Sequence, residues 1–270
     1  MNFTRISDLL PDKLKKSMRI LKDQIKIRNH ILGNSRSAKG LYFEIIKRLF
    51  YSKRTILFFP DIPRHYNVVF KLCAILRYNI TNDYHRRFDA VFRFDFDTIS
   101  DENLSSKEIL NGKPVINGKS TDISKRFIEE KFEEIFNYSL KVEPVEYDRK
   151  ILVKSNQNYT HDGQIIQGPI IPSDIQKDKV YQKAIDTKAA KGYFLDYRVP
   201  VHGGIIPLVY LKYSTPDNRF KNETSHIEIV RPENVFDESE IDKILKFAHA
   251  MDLDFGELDI LRDNEDGRIY

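Results

Sequence analysis

Three stretches of this 270-residue chain carry residue types and spacings suited to chemistry at a phosphate or a metal. Lys154 closes the apolar run Ile151–Lys154 and precedes a polar loop, 156–163. A lysine at a strand end beside such a loop can meet a phosphate as a point charge, although lysines also close strands with no ligand at hand. Val180 to Asp186 (VYQKAID) alternates apolar and polar residues and ends in an acid. A strand of that kind can lay main-chain groups along an adenine edge while Asp186 faces a ribose. In Phe255 to Tyr270, Glu257 and Asp259 share one strand face, and Leu258 and Ile260 share the other. Paired acids near a core suit a hard cation that takes carboxylate oxygens, and the same pattern fits a hairpin with solvent-facing acids.

Other chemistries find no support. The glycines form neither a dinucleotide fingerprint nor a P-loop, since the Gly-Lys pairs at 112–113 and 118–119 lack the upstream glycine. The seven histidines are scattered, with no His-Glu-x-x-His pair for zinc. No Gly-x-Ser-x-Gly elbow is present. Cys73, the single cysteine, lies on the apolar side of a predicted helix and reads as a core residue. It also excludes an internal disulfide framework and points to a reducing, cytoplasmic setting.

The elements that must position these residues follow from periodicity. Apolar residues near helical spacing predict a helix over 12–32, and a second, shorter one over 41–51. Thr55–Phe59, a helix over 66–77 and Phe88–Phe94 read as strand, helix, strand, which implies a small parallel α/β unit. Ile123 to Tyr138 reads as a helix opened by Thr121-Asp122. Strands are predicted at 151–154, 180–185, 204–213, 225–230 and 256–261. Between the last two, 237–251 carries the clearest helical pattern, with Asp237 and Glu240 approximating a capping box. The domain boundaries read as 1–54, a basic helical arm; 55–115, a small α/β domain; and 116–270, a larger α/β (α+β) domain.

The chain is 41% hydrophobic and 31% charged, enough to bury a core and unlike a disordered composition. Net charge is only +4, but residues 1–54 hold 14 basic and four acidic side chains. A basic arm on an acidic body can meet an anionic surface or partner. Aromatics do not interleave with its basic residues, so single-stranded nucleic acid is the least suited target. No apolar run approaches the roughly 20 residues of a membrane helix.

Taken together, the motifs resemble the ATP-grasp superfamily, and most closely its ribosomal-protein glutamate ligase-like bacterial members. The resemblance is carried by Asp122–Lys125 (DISK), Lys154, Val180–Asp186, Asp196-Tyr197-Arg198 with Lys212, and Gly256–Asp259. It covers about 116–270, and it implies a small α/β domain ahead of an ATP-grasp fold of two α+β lobes. It further implies ATP and Mg²⁺ as cofactors and an ATP-dependent carboxylate–amine ligation through an acylphosphate, on an acid and an amine that it does not specify. By this resemblance Lys125 and Lys154 hold phosphates. Gln182, Lys183 (by main chain), Ile185 and Asp186 hold the adenosine, and Asp259 binds the metal. Arg198 and Lys212 act at the transferring phosphoryl group or the acceptor, with Asn222 as an additional candidate. In the superfamily the turn after the first metal acid leads into a strand ending in an Asp/Glu-x-Asn that supplies the second metal acid; here Arg268–Tyr270 reads as the start of that strand, and the motif is absent. Low turnover, or a nucleotide-binding or scaffold role, is therefore the alternative expectation.

Overall fold

The computed structural model describes residues 12–31, 54–100, 110, 112–160, 162–218 and 224–270. The helix predicted at 41–51 and Asn222 lie outside them. The described residues fall into two compact units, one drawn from within 1–96 and 103–118, the other from within 97–102 and 119–270.

The first unit is a four-stranded parallel sheet in the order β2-β1-β3-β4, made of β1 (Thr55–Pro60), β2 (Asn79–Thr81), β3 (Ala90–Phe94) and β4 (Val115–Ile116). Leu57, Phe58 and Val91 are fully buried, as expected of strands covered on both faces. Helix α2 (Val68–Ile75) crosses from β1 to β2 and buries Phe70, Cys73 and Ala74. Cys73 is thus a core thiol, and burial pushes it up to about 12. Helix α1 (Asp12–Ile31) packs against α2 with Ile25 buried, while Gln24 donates to the Tyr78 carbonyl. Its Lys16, Arg19, Lys22 and Lys26 face solvent.

The second unit has two α+β lobes. One holds the antiparallel sheet β6-β5-β7, from β5 (Lys150–Ser155), β6 (Gln164–Gln167) and β7 (Lys179–Lys183), next to helix α3 (Lys125–Phe136). The other holds the antiparallel sheet β10-β9-β8-β11, from β8 (Phe194–His202), β9 (Val209–Ser214), β10 (His226–Val230) and β11 (Phe255–Ile260), with helix α4 (Glu238–Ala250). Its core joins Phe132 and Phe136 of α3 and Ile244 and Phe247 of α4 to Val199, Val209, Leu211 and Ile260 of the sheet. The mixed α/β architecture with two α+β lobes is as the sequence implied.

Several local details differ from the sequence reading. Ser124, not Thr121-Asp122, caps α3: its hydroxyl accepts from the Phe127 amide, while Asp122 takes the Ser124 amide one step earlier. The single strand expected over 204–213 starts only at Val209. Gly203 and Gly204, at φ of 57° and 79°, turn the chain there, because left-handed backbone suits glycine. β8 before that turn is a full strand of its own. The capping box of α4 is present in both directions. No described helix is long and apolar enough to cross a membrane.

Candidate functional site

The three-stranded sheet brings the first group of predicted residues together. In the β5–β7 register Leu152 faces Gln182 and Lys154 faces Val180, so Lys154 and Gln182 lie on one sheet face, diagonal to each other. Lys125 is the first residue of α3; its amide donates to Asn156 O (3.2 Å) and its ammonium to the Gln157 carbonyl. The opening of α3 is thereby fastened to the loop after β5. Asp162 closes that loop by accepting from the Ser155 amide (3.1 Å), the Thr160 hydroxyl (2.9 Å) and Lys179 (2.6 Å). The Lys179 hydrogen bond, chief among these, holds its carboxyl well below the usual range.

The Lys154 ammonium has no hydrogen bond or ion pair among the described residues. Loss of hydration, reinforced by the nearby Lys125 charge, brings its ammonium down to about 8, against the weaker pull of Glu129 and Asp162. Lys125 is lowered as well, chiefly by burial. Glu129 of α3 is buried and accepts from the Gln182 amide; burial raises its carboxyl although Lys154, Lys141 and Arg126 oppose it. The other end of the Gln182 amide, Oε1, is buried with no donor. A cation without an anion beside an acceptor without a donor is a high-energy arrangement for a protein alone. It fits a ligand that brings negative oxygens to Lys154 and Lys125 and an N–H to Gln182. A nucleotide has both.

The second group gathers on the four-stranded sheet. Val199, Val209, Leu211 and Ile260 point into the core, so Asp196, Arg198, Lys212, Glu257 and Asp259 share the opposite face. Lys212 pairs in register with Asp196, and Asp259 with Arg198. Arg198 holds Asp259 with two bonds, Nε to Oδ1 at 2.9 Å and Nη2 to Oδ2 at 3.1 Å, and lies 3.7 Å from Glu257. The hydrogen bond to Asp259 raises the guanidinium further. Among the described residues no cluster of three or more His, Cys, Asp or Glu could hold a metal ion. Asp259 supplies one carboxylate, which suits a Mg²⁺ completed by nucleotide phosphates and water once Arg198 yields an oxygen.

Lys183 and Asp186 stand where β7 runs into the linker to the second lobe. Their side chains are engaged there: Lys183 with Asp263 and Asp266, and Asp186 with the Lys188 amide (3.2 Å). Ile185 is buried. A cleft of about 500 Å³ lined by Tyr138, Glu240, Lys243 and Arg268 contains none of the predicted residues.

Sequence reasoning missed Glu129, Asp162 and Asp263. Glu129 carried a signal, since it stands at i with Phe132 and Phe136 at i+3 and i+7, an acid on a buried stripe. Asp162 and Asp263 are loop acids whose partners are distant in sequence, and nothing local marks them.

Neither a family model nor a curated protein matches the sequence. Solved structures similar to it are ATP-grasp ligases. The ligase PsnB complexed with a minimal precursor shares 13% identity over 81% of this chain and 88% of its own, with a TM-score of 0.47. D-alanine–D-alanine ligase from Bacillus anthracis shares 12% over 81% and 85%, also at 0.47. The D-cycloserine synthetase DcsG shares 13% over 80% and 88%, at 0.42. At such distance a functional reading has to come from this chain's own side chains.

Proposed function

We propose that the second unit binds ATP and serves an ATP-dependent carboxylate–amine ligation. The observation that carries this is Lys154: a desolvated ammonium, lowered to about 8 and without an anion, diagonal to the orphaned Oε1 of Gln182. Lys125 and Lys154 hold the phosphates as point charges. Gln182 and the main chain of Lys183 and Ile185 take the adenine, and Asp186 the ribose. Asp259 is the residue that would hold Mg²⁺, which supplies charge neutralisation at the phosphates.

A substrate carboxylate oxygen attacks the γ-phosphorus, the bond to the bridging β–γ oxygen breaks, and ADP leaves. An amine nitrogen then attacks the acyl carbon, loses a proton, and expels inorganic phosphate. Arg198 and Lys212, on the face of the four-stranded sheet opposite its core, steady the transferring phosphoryl group or the acceptor carboxylate. The chain's contribution is position and electrostatics.

A second reading, nucleotide binding with little turnover, is favoured by the bidentate Arg198–Asp259 pair, which engages both oxygens of the candidate metal ligand. The test is calorimetry of the full chain with ATP and Mg²⁺, followed by phosphate release. ATP binding lost in Lys154→Ala supports the site. Binding equal in wild type and variant, or absent in both, removes it. Binding without Mg²⁺-dependent phosphate release, with any acid and amine tried, favours the second reading. The exposed lysines and arginine of α1 give an anionic partner a surface, and salt-sensitive retention on heparin or anionic vesicles would register it.

A further inference from the structure

The turn after β11 carries a carboxylate that the nucleotide reading does not use. The Asp263 side chain is fully buried, at 0% exposure. A buried carboxylate is expensive unless its oxygens are met, and all the groups that meet it come from the linker or from its own turn. Its Oδ1 accepts from the amides of Asp186 (3.3 Å) and Glu265 (3.1 Å). The Lys183 ammonium lies 2.5 Å from Oδ2, a charge contact more than a well-directed hydrogen bond. The same ammonium reaches Asp266 at 3.1 Å and stands 5.1 Å above the Tyr270 ring, and the Tyr270 hydroxyl donates to Asp266 at 2.7 Å. Burial works against the Lys183 charge, yet the contacts with Asp263 and Asp266 hold it above the ordinary lysine value. Asn264 adds two main-chain ties, its amide to Asp186 O and its side chain to Lys188 O, both at 2.9 Å.

Residues 184–188 form no strand with the ladder of β7 and contribute only an isolated bridge at Lys188. An irregular segment has to find partners for its main chain elsewhere. Here the turn 263–266 meets the main chain at Asp186 and Lys188, while the Ala184 amide before Ile185 goes to Lys150 O. The segment is the one that, in the nucleotide reading, faces adenine and ribose.

We infer that Asp263, with Lys183, is a positioning residue for the adenosine-binding segment 182–186, fixing its main chain before the ligand arrives. This rests on the nucleotide reading. Fixing the segment in advance spares the ordering cost at binding, so the effect belongs to the adenosine half of the ligand and not to its phosphates.

The experiment separates those halves. Affinities of the full chain for ATP·Mg²⁺ and for inorganic tripolyphosphate·Mg²⁺ are measured for wild type, Asp263→Asn, Lys183→Met, the double variant, and Asn264→Ala. Asn264 is exposed, so its variant keeps the test alive should a buried change fail to fold. Asp263→Asn should lose tenfold or more in ATP affinity and stay within twofold for tripolyphosphate. The double variant should be no weaker than the poorer single one, and Asn264→Ala should lose about threefold for ATP alone. Equal losses for both ligands, or unchanged ATP affinity in every variant that folds, overturn the inference. If wild type binds tripolyphosphate as well as ATP, the adenosine assignment fails. If it binds neither, the nucleotide reading fails and the inference falls with it.

Discussion

Lys154 and Lys183 stand on neighbouring strands of one small sheet and live in opposite electrostatic worlds. Lys183 is met by two acids and is held above its ordinary value. Lys154 is met by none and falls to about 8, with another lysine close by. Lys154 is the more deeply desolvated of the two, so the contrast comes from depth as well as from partners. A buried ion pair is a structural fastening: removing one member leaves the other stranded. A desolvated cation with no anion costs the fold stability, and it suits a site that something outside the chain completes. The difference divides the sheet into a fastened end at the linker and a receptive end at the loop after β5.

The largest expected effect breaks the fastened end. Lys183→Met should cost about 3 kcal/mol of stability, the lower range for stripping one partner from a buried pair, because Asp263 is left without its counter-charge. Chemical denaturation measures it, and a loss below about 1 kcal/mol would mean that Asp266 and solvent, not Asp263, balance that lysine. Next comes the receptive end. Lys154→Met should lose about 1.5–3 kcal/mol of ATP binding, the range for a hydrogen bond to a charged group, while melting at or above the wild-type temperature. A variant that loses stability as well as binding would show that Lys154 has a structural partner after all.

The third prediction is in pH. A lysine whose folded value is depressed to about 8 from 10.5 destabilises the fold fully below pH 8, and the penalty is relieved as pH rises toward 10.5. Wild-type stability should therefore gain over pH 8–10.5 relative to Lys154→Met, while ATP affinity falls across the same window as the ammonium deprotonates. Parallel pH curves for the two proteins would contradict the depressed value. The smallest effect is a control at neither lysine. Asp237→Ala removes the cap of α4 and should cost about 1 kcal/mol of stability with ATP affinity unchanged.

How much of this was legible beforehand depends on the range of the interaction concerned. Period-2 alternation put Glu257 and Asp259 on one face, and the capping box of α4 was written in Asp237 and Glu240, because both depend on neighbours a few residues away. Lys154, Glu257 and Asp259 could be picked out as chemistry-bearing from their positions in strands, while Gln182, Arg198 and Lys212 came with the family resemblance. What they would meet could not. That Arg198 would clasp Asp259, 61 residues away, follows from β8 pairing with β11, and that Gln182 would hand one end of its amide to Glu129 follows from α3 lying over β7. Sequence by itself determined which residues alternate and carry charge, and the cap of α4 though not that of α3, since local backbone geometry governs those. Only the tertiary structure decided that Lys154 would be left without an anion and Lys183 given two, because desolvation and counter-charge belong to the packed neighbourhood and not to the residue.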